Sequence, residues 1–333
     1  MKHLTIAVPQ GHCGLSTIAC IAGIFEVFNT ANSYRRRSGQ DDLFTIHLAG
    51  AAPEQDVFHG MFTIKPQASV TAIPRTDLII IPSNLLRSKQ DISAENSVII
   101  DWITRQYKDG ASVASICTGA FFLAASGLLD GKSCSTHWAY ADAFRQTFPG
   151  IRLQDDRLIT DEHGIYTNGG AYSFLNLMIY LVEKYYDRQT AIFCSKTLQI
   201  EMDRNSQSVF SVFTGQKQHG DTMVQEAQAL IERSADEKLS VDELSARFAV
   251  GRRTFDRRFI KATGNTPLEY AQRVRIESAK KNLETSRKTI NEVMYEVGYS
   301  DTKAFREVFR KITGLSPLAY RNRYNKEAIG GRA

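Results

Sequence analysis

One pattern is written twice in this chain, fifty places apart. Phe255, Phe259, Lys261, Thr263, Gly264, Pro267, Leu268 and Tyr270 recur as Phe305, Phe309, Lys311, Thr313, Gly314, Pro317, Leu318 and Tyr320. Upstream the match continues with a one-residue slip, Val241, Leu244 and Phe248 answering to Ile290, Val293 and Val297. Two copies are too few for a solenoid, in which at least three units stack to bury a continuous core. They make two similar supersecondary units instead.

Each unit reads as a helix-turn-helix. Val241, Leu244 and Phe248 fall on one helical stripe, at spacings of three and four. Ala249 to Gly251 forms the turn, with the glycine expected to take the unusual backbone angle. A second helix follows from Arg252 to Thr263, with Phe255 and Phe259 on its buried side. Arg252, Arg253, Asp256 and Arg257 lie on the other side. Gly264 closes the helix, and Pro267 opens the next one at a position where proline is welcome. In the second copy Gly298 to Asp301 supplies turn and cap, and Thr302, Lys303 and Arg306 face outward. A short helix with an apolar back and a basic front can enter a major groove. The helix between the copies, Pro267 to about Glu284, spans roughly 27 Å at ~1.5 Å per residue. That approaches the ~34 Å of one DNA turn, so the two reading helices can reach successive major grooves.

The charge is placed accordingly. From His219 onward there are 22 Lys and Arg against 16 Asp and Glu, whereas residues 1–218 hold 19 against 20. The basic surplus belongs to the half that would meet phosphates.

The repeated stretch resembles the DNA-binding domain of AraC-type transcription regulators. The second copy carries the resemblance on Ile290, Val293, Gly298, Tyr299, Phe305, Phe309, Gly314, Ser316, Pro317, Tyr320 and Arg321. Three positions depart from that family's habit: Met294 replaces a small residue, Glu307 a frequent arginine, and Gly251 the usual Ser or Asn cap.

The first half has a different rhythm. Leu4–Val8, Phe44–Leu48, Asp77–Ile81 and Ala111–Ile116 read as apolar strands, and Phe58–Ile64 as a hairpin or edge strand. Helices are expected at Ser16–Asn32, Glu95–Tyr107 and Ala171–Tyr186. Alternation of this kind implies a parallel sheet covered on both faces, with ligands at the carboxyl ends of its strands. That rule points to Cys117, where an apolar strand runs into a helix of small residues through Thr118 and Gly119. The arrangement is a nucleophile elbow with Cys for Ser. A helix starting at the thiol favours an anion there. His137 is a candidate base for it, and Gly169 and Gly170 point to the same place. An inert buried cysteine and a structural histidine are the plain alternatives.

Residues 2–187 resemble the PfpI-like branch of the class I glutamine amidotransferase-like fold, on the stretches Cys117–Gly131, Thr136–Trp138 and Gly23–Phe28. The resemblance implies an α/β, flavodoxin-like parallel sheet domain at 1–187 and an all-α double helix-turn-helix domain at 221–325; the linker between them, 188–220, has a mixed composition that reads as a helix and linker with one hydrophobic patch docking on a domain. It also implies a domain that senses a small metabolite, of a nitrogenous kind, through Cys117, Thr118, His137, Gly169 and Gly170 rather than catalysing. Regulators of this type usually carry an Asp three places before the Gly matched by Gly23; here that place is Cys20. The expected function is a sequence-specific regulator, an activator, acting as a homodimer on double-stranded promoter DNA with a small-molecule effector and RNA polymerase. A cysteine hydrolase or amidase, or a thiol redox sensor, fused to the DNA-binding module is the alternative. No cofactor or metal is expected. The cysteines, Cys13, Cys20, Cys117, Cys134 and Cys194, are odd in number and form no CxxC pair, which fits a reducing cytoplasm. The sequence has no run of about 18 apolar residues, so no membrane span is expected.

Overall fold

The computed structural model describes residues 1–11, 13–85, 89–236 and 240–325. It divides into two compact units, Met1–Gln207 and Ser208–Ala333.

In the first unit the strands are β1 (Lys2–Val8), β2 (Phe44–Gly50), β3 (Gln55–Val57), β4 (Phe62–Ile64), β5 (Ala68–Ser69), β6 (Leu78–Ile81), β7 (Ser112–Ile116), β8 (Ser133–Cys134), β9 (Arg152–Leu153), β10 (Ile159–Glu162) and β11 (Ile165–Asn168). The helices are α1 (Leu15–Arg37), α2 (Lys89–Lys108), α3 (Gly119–Ala125), α4 (Ala141–Thr147), α5 (Phe174–Tyr185) and α6 (Arg188–Leu198). A seven-stranded sheet runs in the order β10-β11-β7-β6-β1-β2-β5, parallel except for β10. Its middle is β6, in which Leu78, Ile79, Ile80 and Ile81 are all buried, as a strand covered on both faces requires. Leu78 and Ile80 join the core under α1, α5 and α6, while Ile79 and Ile81 join the core under α2, α3 and α4. β3 and β4 form the hairpin expected between Phe58 and Ile64, shifted a few residues earlier at its start.

By length and composition α1 is apolar enough to cross a membrane. Its place in the fold gives the reason for that composition: Cys20, Ile24, Val27, Phe28 and Ala31 are buried in the sheet core, and α5 and α6 pack beside it. α2 starts earlier than its periodicity suggests, with a break at Asn96. There the buried side chain turns to the loop after β1, accepting from Gln10 N (2.6 Å) and donating to Gln10 O (3.1 Å).

The expected linker at 188–220 is corrected in its first half. α6 is capped by the Asp187 carboxylate at Thr190 N and buries Ala191 and Cys194 against the core of the first unit. Residues 205–207 then pair back, Leu158 N donating to Asn205 O and Gln207 N to Asp156 O. The polar composition of this stretch suggests a connection, but its few apolar residues fall on one helical face.

The second unit is all-helical: α7 (Thr222–Arg233), α8 (Val241–Arg247), α9 (Arg252–Thr263), α10 (Pro267–Thr285), α11 (Ile290–Glu296), α12 (Thr302–Thr313) and α13 (Pro317–Tyr324). The repeat in sequence becomes a repeat in bonding. Thr263 and Thr313 each return their hydroxyl to the carbonyl four residues back, at 2.8 Å, and accept the N–H two residues on. Tyr270 donates to Glu232 (2.6 Å) and Tyr320 to Glu284 (2.5 Å). Two cores result. Leu244, Phe255, Phe259 and Tyr270 build one with α7; Val293, Met294, Phe305, Phe309 and Tyr320 build the other. The unusual Met294 is one of its buried members.

The turn chemistry differs from expectation. Gly251 is extended (φ −64, ψ 144) and only precedes α9. The left-handed residue is Ala249 (φ 51), the counterpart of Gly298 (φ 78) in the second copy. A Cβ at Gly298 would also lie 2.6 Å from the carbonyl oxygen of Asp236. Ala249→Gly is therefore expected to stabilise the second unit by about 1 kcal/mol, and Gly298→Ala to destabilise it by about 2–4 kcal/mol. Urea unfolding of the full chain checks this; equal shifts for the two substitutions would contradict it.

Candidate functional site

At the carboxyl end of β7 the chain turns at Cys117, beside the loop after β6 and the turn after β11. The thiol residue is 4% exposed and has φ 56, a left-handed angle uncommon for a side chain of any size and typical of strained functional turns. The turn is possible because of Gly119: a Cβ there would lie 2.8 Å from Ile81 O and 3.0 Å from Pro82 O. Cys117 N donates to Asn168 O (2.9 Å), which ties the elbow to the start of the Gly169–Gly170 turn. Thr136 Oγ1 donates to Cys117 O (3.0 Å), which brings the His137 loop alongside. The sequence-based grouping of Cys117, His137, Gly169 and Gly170 is thus one neighbourhood of the fold.

The roles within it are less uniform. The Thr118 hydroxyl is committed to the loop after β6: it donates to Asn84 O (2.5 Å), accepts from Asn84 N (3.2 Å) and meets Ser83 Oγ (3.0 Å). His137 Nδ1 accepts the N–H of Ala139 at 3.1 Å. In the neutral ring the proton then sits on Nε2, so the lone pair a general base needs is already used. α3 has only seven residues, a short dipole beneath the thiol. Cys20 lies close enough for its titration to feel Cys117. Burial pushes the Cys20 thiol up to about 12, against a hydrogen bond from the Ser83 backbone, and the Cys117 charge adds to the rise. A protonated thiol cannot do at neutral pH what a carboxylate does there.

Gln207 is the residue that sequence reasoning missed. It is fully buried, and its amide clamps the His137 loop: Nε2 donates to Thr136 O (2.8 Å), and Oε1 accepts from Trp138 N (3.1 Å). It fits only because residue 169 is glycine, whose Cβ would lie 2.2 Å from Nε2. No local signal marks a glutamine in a polar run as buried; the Gly169–Gly170 pair is the visible half of the contact.

On the second unit, Arg253, Arg257, Lys303 and Arg306 are exposed on the outward faces of α9 and α12. Arg252 is exposed but engaged, bonding Asp242 (2.9 Å) and Asp256 (3.0 Å) and so fastening α8 to α9. Asp256, half-buried, is one of its two acceptors, and Thr302, at the start of α12, is half-buried. Next to Lys303 and Arg306, Glu307 and Arg310 are also exposed. Arg258, which the sequence did not single out, grips the Asp221 cap of α7 with two bonds of 2.9 and 2.7 Å, and holds that carboxyl below its usual range.

A DJ-1/PfpI family model matches residues 40–184, and a helix-turn-helix domain model matches residues 244–323. Along most of its length the chain is similar to the HTH-type transcriptional regulator GbdR of Pseudomonas aeruginosa, 26% identical over 305 residues that cover 90% of this chain and 80% of that one. The chain belongs to the AraC-type regulators with a DJ-1/PfpI first domain. As an AraC-type regulator it is a sequence-specific DNA-binding protein. The chain is also similar over 128 residues to the isonitrile hydratase of Pseudomonas putida, 30% identical across 38% of this chain and 54% of the enzyme. A solved structure of a protein from Vibrio parahaemolyticus shares the fold: TM-score 0.52, 24% identity, 60% of this chain and 100% of that one.

For an AraC-type regulator with these two faces, Arg253→Ala and Arg306→Ala are each expected to cost about 1–3 kcal/mol of binding to a selected operator and to relax base preference locally. Lys261→Ala and Lys311→Ala should weaken operator and random duplex alike. Fluorescence anisotropy on both duplexes decides; equal losses on both for Arg253→Ala would remove its base-reading role.

Proposed function

We propose that the first unit is a metabolite sensor controlling the DNA-binding unit, and that the protein is a cytoplasmic homodimer that activates promoters together with RNA polymerase. The effector site is the neighbourhood of Cys117, His137, Gly169 and Gly170, and the DNA-reading residues are Arg253, Arg257, Lys303 and Arg306, with Arg252, Asp256 and Thr302 holding them in place. The observation that carries the sensing role is the pairing of a preserved elbow with a dismantled catalytic set. Cys117 keeps the strained backbone of a nucleophile, but its neighbour Cys20 is held protonated and Nδ1 of His137 is occupied. Strain retained without the acid and base fits recognition better than turnover.

The elbow and the likeness to a hydratase favour one rival, a cysteine-dependent enzyme fused to a DNA-binding module. A thermal-shift screen of small nitrogenous metabolites on the full chain separates the two, because a ligand that binds only the folded state raises its melting temperature. The expected result is a hit whose shift Cys117→Ala changes, together with no multiple turnover of amides, esters or isonitriles by the wild type. Steady turnover abolished by Cys117→Ala and by His137→Ala would overturn the sensing role. Sedimentation of the full chain at micromolar concentration should show a dimer; a monomer would refute that part.

A further inference from the structure

Gln207 is the last residue of the first unit, and Ser208 is the first of the second. On one side of that boundary the chain is anchored in the effector neighbourhood. The Gln207 amide bonds Thr136 O and Trp138 N, reaches Arg157 O at 3.3 Å and Ser135 Oγ at 3.4 Å, and lies in the space left by the missing Cβ of Gly169. On the other side the chain is anchored in the helix-turn-helix unit. Val209 packs on the second core and accepts from Tyr324 Oη through its carbonyl at 3.2 Å. Phe213 packs on the first core, its ring against Tyr270 at 5.1 Å.

Between Val209 and Phe213 the strap is bolted to the middle of α10. Lys280, whose side chain is 5% exposed, donates to Ser211 O (2.6 Å) and to Glu277 Oε2 (2.8 Å); Glu277 Oε2 in turn accepts from Phe213 N (3.1 Å). A buried ion pair is costly unless its remaining bonds are satisfied, and here the strap's backbone satisfies them. Removing the strap would leave Lys280 and Glu277 short of partners in a dry place. The strap is therefore part of the α10 structure, and one residue, Ser208, separates it from the Gln207 anchor.

We propose that Gln207 is the transmission residue of this regulator: docking of its amide between the His137 loop and Gly169 links the state of the effector site to the strap that α10 depends on. This rests on the effector site proposed above for its biological meaning, but the mechanical coupling does not need the effector. A ligand that moves the 136–138 loop or the 169–170 turn changes the free energy of Gln207 docking, and a single residue of chain, Ser208, lies between that docking and the strap on α10. Coupling free energy is reciprocal, so DNA binding at the second unit must alter the same docking.

That reciprocity supplies the test, with sonicated double-stranded DNA at low salt as the probe. Hydrogen–deuterium exchange of the full chain is followed at 135–138, 168–170 and 208–213, with and without DNA. In the wild type, DNA is expected to change exchange in all three segments, by about 5-fold or more in the first two if the coupling is of ordinary size. Gln207→Glu, which replaces the amide donors with an acceptor facing three oxygens, should abolish the change at 135–138 and 168–170 while leaving that at 208–213. An insertion of Gly-Gly-Ser between Gln207 and Ser208 keeps both anchors and adds only slack; it should have the same effect and needs no substitution in the core. Absence of any DNA response at 135–138 and 168–170 in the wild type would overturn the coupling. Persistence of the response in the insertion variant would overturn the direct path, and persistence in a folded Gln207→Glu would overturn the residue. None of these outcomes depends on a metabolite, so a failed metabolite screen and a failed coupling are read separately.

Discussion

The second unit depends on the continuity of one helix. α10 is 19 residues from Pro267 to Thr285, about 28 Å at ~1.5 Å per residue, and contributes to both cores. Its first turns give Tyr270 to the core behind α9; Ile276, Ala279 and Leu283 belong to the core behind α12. α9 and α12 are thus fixed against opposite ends of one rod. A Thr266–Glu269 capping box starts the rod, with Pro267 at its first position, and no further proline and no glycine interrupts it. Had the copies been joined by a loop of the same length, each could still enter a groove, but the spacing between grooves would not be specified.

The first unit shows the opposite economy, with local strain kept where the fold could have relaxed it. Cys117 holds a left-handed angle, and Gly119 is obliged to be glycine by two carbonyl oxygens. Around that turn the polar groups are spent on geometry: Thr118 on the loop after β6, Thr136 on the Cys117 carbonyl, His137 on the next turn's N–H. Burial raises Cys13 and Cys194 to about 11 and Cys20 and Cys134 to about 12. These thiols are protonated at neutral pH. The side chains around the elbow thus hold its backbone in place.

Periodicity and punctuation make much of this fold legible in the sequence. β6 announces itself as four successive isoleucine or leucine residues, and the helix-turn-helix units by phenylalanines four apart, then glycine, then proline. What stays hidden depends on contacts distant in the chain. Gln207 meets Thr136 and Trp138 about seventy residues away, and only the paired glycines at 169 and 170 hint that something approaches closely. Ala249 misleads because the nearby Gly251 has the look of the flexible member of the turn, whereas the second copy shows that the left-handed place is the one held by Gly298. The helix of the 188–220 stretch is visible in the sequence, but that α6 belongs to the first unit is not, because it buries few residues, Thr190, Ala191 and Cys194, and a short apolar face is a weak signal beside a polar majority.

If α10 sets the distance between the two reading helices, a single chain reads two successive grooves. Methylation interference on an operator selected from random duplexes is the sharpest test, since guanine N7 faces the major groove. The full-length protein should show, for each bound chain, two interfering segments about 10 base pairs apart on one face of the duplex. Lys303→Ala and Arg306→Ala together should erase one segment and leave the other. A single segment per chain, unchanged by those substitutions, would mean that α10 does not space two reading helices on DNA.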